Sequence, residues 1–333
     1  MTKNRNKKKP MKKIVISLFV AALLIFGGAF AYTFWQVGKV NTVKISDTDE
    51  DLGINTDAVP ESEAASGITN IAFFGIDARN TEEPSRSDSI MIISIDTKNK
   101  KIKMSSVMRD TYVTMKGHGQ TKINHAYAYG GPQLAIRTLN ENFDLNVRDY
   151  VTVDFFNLEK IINSLGGVTI DVASDEVDEI NKYMNETAAI EKKSVTRITS
   201  SGSQNLNGMQ AVAYTRIRYL KGDDFKRTER QRTVLTAMLT KIQTAGVTKF
   251  PSIVSDLLPL TQTSMNSMDI ISLGTKVVAS KSTTLEQARF PSDGNWAAQT
   301  ISGVSYLVAN MQTMTEQIHK FIYEDINPAA KTN

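Results

Sequence analysis

Short stretches of this 333-residue chain set carboxylates beside guanidiniums. Asp77 and Arg79 stand in GIDAR, Arg86 and Asp88 in RSDS, and Arg109 and Asp110 in VMRD. Arg216, Arg218, Arg227, Arg230 and Gln231 crowd TRIRYLKGDDFKRTERQ. A guanidinium is a planar fork that grips phosphate through two parallel hydrogen bonds. Several such forks with two carboxylates able to hold Mg²⁺ describe a site for a di- or polyphosphate. The metal follows from electrostatics, since like charges 4 Å apart repel by about 4 kcal/mol at an effective dielectric near 20. Two aspartates facing a diphosphate need Mg²⁺ between them (Mn²⁺ would also serve), or they point elsewhere. Ordinary roles stay open: Asp77 and Asp88 as turn or cap residues, Arg227 and Arg230 on a solvated helix face, and His125 as a packed polar residue.

Strands must carry these groups to one place. Residues 68–75 (ITNIAFFG) and 89–95 (SIMIISI) are nearly continuous apolar runs, as in central strands covered on both faces. Residues 101–107 read as a third strand after the turn-like DTKN. An antiparallel meander brings the end of the first strand, the start of the second and the end of the third to one rim. Asp77, Arg79, Arg86, Asp88, Arg109 and Asp110 then gather there. Arg86 and Asp88, two apart, point the same way in extended chain, as do Arg216 and Arg218. Arg227, Arg230 and Gln231 share a helix face at i, i+3 and i+4.

Further on, Pro132 opens a helix to residue 143. Residues 150–154, 155–165 and 168–172 read as strand, helix and strand, which suggests a mixed α/β sheet. Residues 173–203 read as a polar excursion. Helices are expected at 207–215, 225–244, 251–260, 268–280 and 301–323, with a strand at 285–290. No P-loop, GxSxG, HExxH or GxGxxG pattern is present.

Composition narrows the class. Hydrophobic residues at 41% can build a core. The absence of cysteine excludes disulfide scaffolds, thiolate zinc sites and cysteine nucleophiles. Residues 1–13 hold seven cations and no acid; taking those from the 39 basic side chains leaves 32 against 35 acidic ones. The basic balance therefore belongs to the tail, and no nucleic-acid partner is expected. Residues 14–36 carry no charge and are long enough to cross about 30 Å of hydrocarbon as a helix. Seven cations before this span against Lys39 and Lys44 after it put the N-terminus in the cytoplasm and residues 37–333 outside. A cleaved signal peptide is the rival, with Ala29 and Ala31 at the cleavage motif, but the apolar run continues through Trp35. Residues 37–66 read as an acidic stalk, 67–245 as the catalytic core, 246–325 as a helical part of the same domain and 326–333 as a tail.

Six ordered motifs, GIDAR, RSDSIMIISID, VMRDTYV, TKINHAYAYGG, LGGVTIDV and GMQAVAYTRIRYLKGDDFKRTERQ, resemble the LytR–CpsA–Psr family over about 160 residues. The resemblance implies an α/β fold with a mixed central sheet, flanking helices and an apolar pocket for a polyprenyl chain, behind an N-terminal transmembrane helix at the cell membrane. It implies a phosphotransferase that moves an anionic glycopolymer, of teichoic acid or capsular type, from undecaprenyl diphosphate to a peptidoglycan sugar hydroxyl. Asp77 and Asp88 would hold Mg²⁺; Arg86, Arg109, Arg216, Arg218, Arg227 and Gln231 would bind the diphosphate; Asp77 or Asp110 would help deprotonate the acceptor. Pocket candidates are the apolar faces of 155–165 and 134–143. The alternatives are a polyprenyl-diphosphate hydrolase, a membrane-bound transcriptional regulator and a non-catalytic lipid- or glycan-binding scaffold.

Overall fold

The computed structural model describes residues 41–57, 67–77, 84–218, 223–280 and 284–328. The expected span 14–36 and Arg79 lie outside them; among the described residues no helix is long and apolar enough to cross a membrane.

Along the chain come β1 (Asn41–Thr42), α1 (Asp49–Leu52), β2 (Ile68–Ile76), β3 (Ser87–Asp96) and β4 (Lys101–Val107). A ribbon of β5 (Tyr112–Met115) and β6 (Gly119–Lys122) leads to α2 (His125–Phe143), β7 (Asp149–Asp154) and α3 (Phe155–Ser164). A second ribbon, β8 (Val168–Val172) with β9 (Gly202–Leu206), encloses α4 (Glu176–Glu191). Next are α5 (Gly208–Arg216), α6 (Asp223–Ala245), α7 (Phe250–Leu257), β10 (Gln262–Thr263), α8 (Ser267–Ala279) and β11 (Thr284–Phe290). A third ribbon, β12 (Trp296–Ile301) with β13 (Val304–Ala309), precedes α9 (Met311–Glu324).

Seven strands form one mixed sheet in the order β1-β10-β7-β2-β3-β4-β11. The antiparallel meander β2-β3-β4 is present, with β7 parallel to β2 and β11 parallel to β4. Alternate side chains feed two cores, as a period of two demands. Ala72, Phe74, Ile90 and Ile92 meet α2 and α9 on one face, through Ile136, Leu139, Ile318 and Phe321. Phe73 and Val153 meet α3 and α6 on the other, through Ile161, Ile162, Val234 and Met238. Burying each of the larger side chains among these contributes about 1.5–3 kcal/mol. This two-sided burial is why β2 and β3 read as unbroken apolar runs.

Several expectations are corrected. Residues 41–57 are no stalk: β1 pairs with β10, and Leu52 and Ile54 are buried in the first core. Residues 173–203 contain α4, whose Ile180, Tyr183 and Met184 are buried in the second core. β8 leaves the main sheet and pairs with β9, because α3 turns the chain onto the helical layer. The helix expected at 301–323 is β13 followed by α9, divided from β12 by a turn with positive φ at Ser302 and Gly303. Residues 246–325 are therefore not wholly helical, and they lend β10 and β11 to the sheet. α2 is two helical segments joined at the non-helical Gly130 and Gly131: the second opens at Pro132 and runs to Phe143 as expected, and the first, which starts at His125, was not expected.

Candidate functional site

The rim of the meander carries a break in register. Gly75 pairs with Ser89 while the next residue, Ile76, pairs with Ser87, which leaves Asp88 as the extra residue of a bulge. Bulges re-aim a side chain, and here the side chain is the Asp88 carboxylate. It lies on an open cleft of about 560 Å³ with Asp77, Ser85, Arg86, Arg109, Asp110, Lys122, Asn124 and Ile190. The strand ends thus converge as the meander required, although the bulge, and not simple alternation, aims Asp88.

Arg109 is the hub. Its Nη1 lies 2.5 Å from Asp88 Oδ1, its Nη2 3.4 Å from Asp224 Oδ2 and its Nε 3.6 Å from Asp110 Oδ2. Burial disfavours its charge, but Asp88, Asp224 and Asp110 outweigh burial and raise its pKa. Lys122 Nζ holds Asp110 Oδ1 at 2.8 Å, and Arg218 Nη2 is 3.7 Å from Asp88 Oδ2. Arg227, 3% exposed, donates from Nη2 to the Asp88 carbonyl at 3.3 Å. Its pKa is lowered to about 10, first by burial and then by Arg109. The Nε–H groups of Arg109 and Arg227 are buried with no hydrogen-bond acceptor among the described residues. Buried donors left so are costly and suit an anion that arrives later.

The other expected residues divide. Arg86 is exposed and lines the cleft. Gln231 lies in a second feature, a narrow apolar crevice of about 30 Å³ that also touches Phe73, Gly75, Ser89, Phe155, Leu158 and Val234. This crevice begins one residue from Asp88, on the sheet face covered by α3 and α6. The α3 face was anticipated as lining; residues 134–143 instead fill the first core. Arg216 ends α5 and does not share an extended face with Arg218: it donates to Thr187 Oγ1 at 2.8 Å and lies 5.0 Å from the Tyr183 ring, both on α4. Arg230 departs from Arg227 and Gln231 and binds Glu176. Asp224, Lys122 and Asn124 were not singled out. Asp224 follows Asp223 in a polar run, and nothing local marks it as a partner of a residue 115 positions away.

Asp77 and Asp88 are hard oxygen donors that both line the cleft. Among the described residues no group of three or more His, Asp or Glu is placed to hold a metal. Two carboxylates completed by phosphate oxygens and water are the donor set Mg²⁺ commonly accepts, so these residues fit that ion.

Comparison with known proteins decides the family. The model of the LytR_cpsA_psr family matches residues 32–321. The chain belongs to this family. The LytR_cpsA_psr match runs through residues 173–203 and on past 246, where no motif was recognised in the sequence. Among relatives, the polyisoprenyl-teichoic acid–peptidoglycan teichoic acid transferase TagT of Bacillus subtilis (strain 168) is 31% identical over 252 residues, 72% of this chain and 74% of TagT. Regulatory protein MsrR of Staphylococcus aureus (strain COL) is 32% identical over 245 residues, 72% of this chain and 70% of MsrR. The solved LytR-CPS2A-psr family protein YwtF (TagT) with bound octaprenyl pyrophosphate lipid superposes with a TM-score of 0.62 at 26% identity, covering 85% of this chain and 98% of that one.

Proposed function

We propose that this protein is a membrane-anchored phosphotransferase that moves an anionic glycopolymer from undecaprenyl diphosphate to a peptidoglycan sugar hydroxyl outside the cell, forming a phosphodiester. The observation that carries this is the juxtaposition of an arginine-rich, under-satisfied cleft with an apolar crevice one residue away. A lipid diphosphate has those two parts, a doubly charged head and an apolar tail. The teichoic acid transferase name of TagT and the octaprenyl pyrophosphate bound to its structure support the reading.

Arg86, Arg109, Arg218 and Arg227 bind the diphosphate, and Gln231 stands where head gives way to tail. The crevice is too narrow for a prenyl chain as it stands, so α3 and α6 part to admit one. The acceptor oxygen attacks the phosphorus that bears the glycan. The bond from that phosphorus to the bridging oxygen breaks, and undecaprenyl phosphate leaves with the bond's electrons. The guanidiniums stabilise the charge that grows on the leaving oxygen. Asp77 or Asp110 takes the hydroxyl proton. Asp77 and Asp88 would hold Mg²⁺ or Mn²⁺, which when bound neutralises phosphate charge.

The test is transfer from a lipid-linked teichoic acid precursor to peptidoglycan, read as phosphodiester-linked product. Asp88→Ala and Arg109→Ala are each expected to abolish turnover while the fold survives; full activity removes that residue from the site. Free phosphorylated glycan released equally with and without peptidoglycan would mean hydrolysis instead. The name of MsrR favours a second reading, a membrane-bound regulator. That reading needs the domain in the cytoplasm, against the seven-to-two charge asymmetry around residues 14–36. Digestion of the domain by protease added to intact cells excludes it.

A further inference from the structure

One motif is left over. TKINHAYAYGG forms part of the cleft wall through Lys122 and Asn124, yet the mechanism uses neither its histidine nor its second tyrosine. Tyr129 is 53% exposed. Its ring stacks on His118 with centroids 4.6 Å apart and planes at 27°, and His125 meets it at 5.6 Å. His125 is itself pinned to Thr121 Oγ1 at 2.8 Å and lies within the electrostatic reach of Arg86, Lys122 and Asp110. Tyr129 therefore packs on the residue that follows Asn124 of the cleft wall. The backbone holds it there: helical geometry breaks just after it, at Gly130 and at Gly131, where φ is +62°. A Cβ at Gly130 would lie 2.6 Å from Leu134 Cβ. A half-exposed ring fixed from below and from the side is a surface ready to be covered, at little entropic cost.

A second, independent feature stands at the N-cap of the helix that carries this ring. Asn124 is 4% exposed and lines the cleft, and its Oδ1 has no hydrogen-bond partner among the described residues. A buried acceptor left open calls for a donor such as a hydroxyl.

We propose that Tyr129 and Asn124 form the subsite for the acceptor sugar, which rests on the phosphotransferase reading above. The apolar C–H face of the sugar ring packs on Tyr129, as amphipathic rings do on aromatic ones, and a sugar hydroxyl donates to Asn124 Oδ1. The sheet explains why this is the acceptor side. The apolar crevice lies on the face covered by α3 and α6, whereas Asn124 stands at the N-cap of α2 and Tyr129 on α2 itself, the helix that covers the other face. In-line displacement at phosphorus places the nucleophile and the leaving group on opposite sides. With the prenyl phosphate leaving toward the crevice, the hydroxyl approaches from the α2 side.

The experiment uses the full chain in detergent and a peptide-free peptidoglycan tetrasaccharide as probe. Tyr129→Ala is expected to raise the KM for tetrasaccharide about tenfold, with kcat and the donor KM unchanged, and to weaken tetrasaccharide binding in titration calorimetry without donor by the same factor. Tyr129→Phe restores both, and His118→Ala gives a rise of about threefold. An unchanged acceptor KM in Tyr129→Ala, or a rise confined to the donor KM, overturns the subsite while transfer by the wild-type protein leaves the enzyme reading intact. Absence of transfer by the wild-type protein with any acceptor strikes the enzyme reading itself.

Discussion

Arg227 and Arg230 sit one turn apart on α6, both buried, at 3% and 6% exposure. Their surroundings differ. Arg230 has Nε 2.7 Å from Glu176 Oε1 and Nη1 3.4 Å from the Ile217 carbonyl, and its guanidinium lies 5.9 Å from the Tyr214 ring. The other Glu176 oxygen accepts from the Ala173 N–H at 2.9 Å. This arginine ties α6 to α4, and its pair is closed. Arg227 has a carbonyl at 3.3 Å and Asp224 Oδ1 at 3.2 Å, but its Nε–H is aimed at neither, and Arg109 and Arg218 crowd it. A buried cation with a matched carboxylate acts as a strut. One held among other cations in a half-satisfied state destabilises the empty fold and stabilises an anion bound beside it. Sequence spacing treats the two as equivalent; their partners make the distinction.

The largest expected effect breaks the pair apart by function. Arg227→Ala should lower turnover by about 10² to 10³, the usual loss when a preorganised donor to a charged transition state is removed. Its unfolding free energy should stay level or rise, because a buried charge crowded by Arg109 and Arg218 is gone while Asp224 keeps Arg109 as its partner. Measuring kcat and denaturant unfolding on the same preparation checks both; a large loss of stability would make Arg227 a second strut. Arg230→Ala should do the reverse. It strands Glu176 in the core and should cost about 3–5 kcal/mol of stability, while the folded fraction keeps its rate within a few-fold. The double variant Arg230→Met with Glu176→Leu should recover most of that loss, since an apolar pair of similar volume leaves no charge uncompensated. Next in size is ligand-linked stability. Inorganic pyrophosphate should raise the melting temperature of the wild-type protein and of the Arg230→Met, Glu176→Leu variant alike, and much less that of Arg227→Gln. Equal shifts in all three would detach Arg227 from the anion site.

The same contrast explains what the sequence made legible. Apolar runs at 68–75 and 89–95 announce strands buried on both faces, and a meander of such strands must bring its turn residues to one rim. The convergence of Asp77, Asp88, Arg109 and Asp110 was therefore readable from connectivity. Asp224 was not, since its role depends on where α6 starts relative to β3 and β4. Arg216 was misplaced because the helix continues one residue beyond Thr215 and turns its side chain toward α4. α4 was missed although Ile180, Tyr183, Met184, Thr187 and Ala188 form a helical stripe; between them stand acids and amides that dilute any average over the segment. β13 reads as helix because its short apolar run flows into the amphipathic α9, and only the Asn310 N-cap, whose side chain accepts from the Thr313 N–H, marks the boundary.

The smallest effect reads the same field at a distance. His125 has its pKa lowered by burial first and then by Arg86 and Lys122, with Asp110 opposing them. Its imidazole is therefore neutral in the fold at a pH where the unfolded chain, near 6.5, begins to take up a proton. Between the folded value and about 6.5 the unfolded state binds more protons, so stability rises with pH across that window and is lost as pH falls through it. His125→Gln should remove this slope, the smallest of these effects because the imidazole is only half-buried. Pyrophosphate in the cleft adds negative charge beside Arg86 and Lys122, so it should raise the His125 pKa, as followed by the imidazole proton resonance across a pH titration. In Arg227→Gln the rise should shrink, because less anion is bound at the same concentration; an undiminished rise would mean that the anion is held without the unsatisfied arginine of α6.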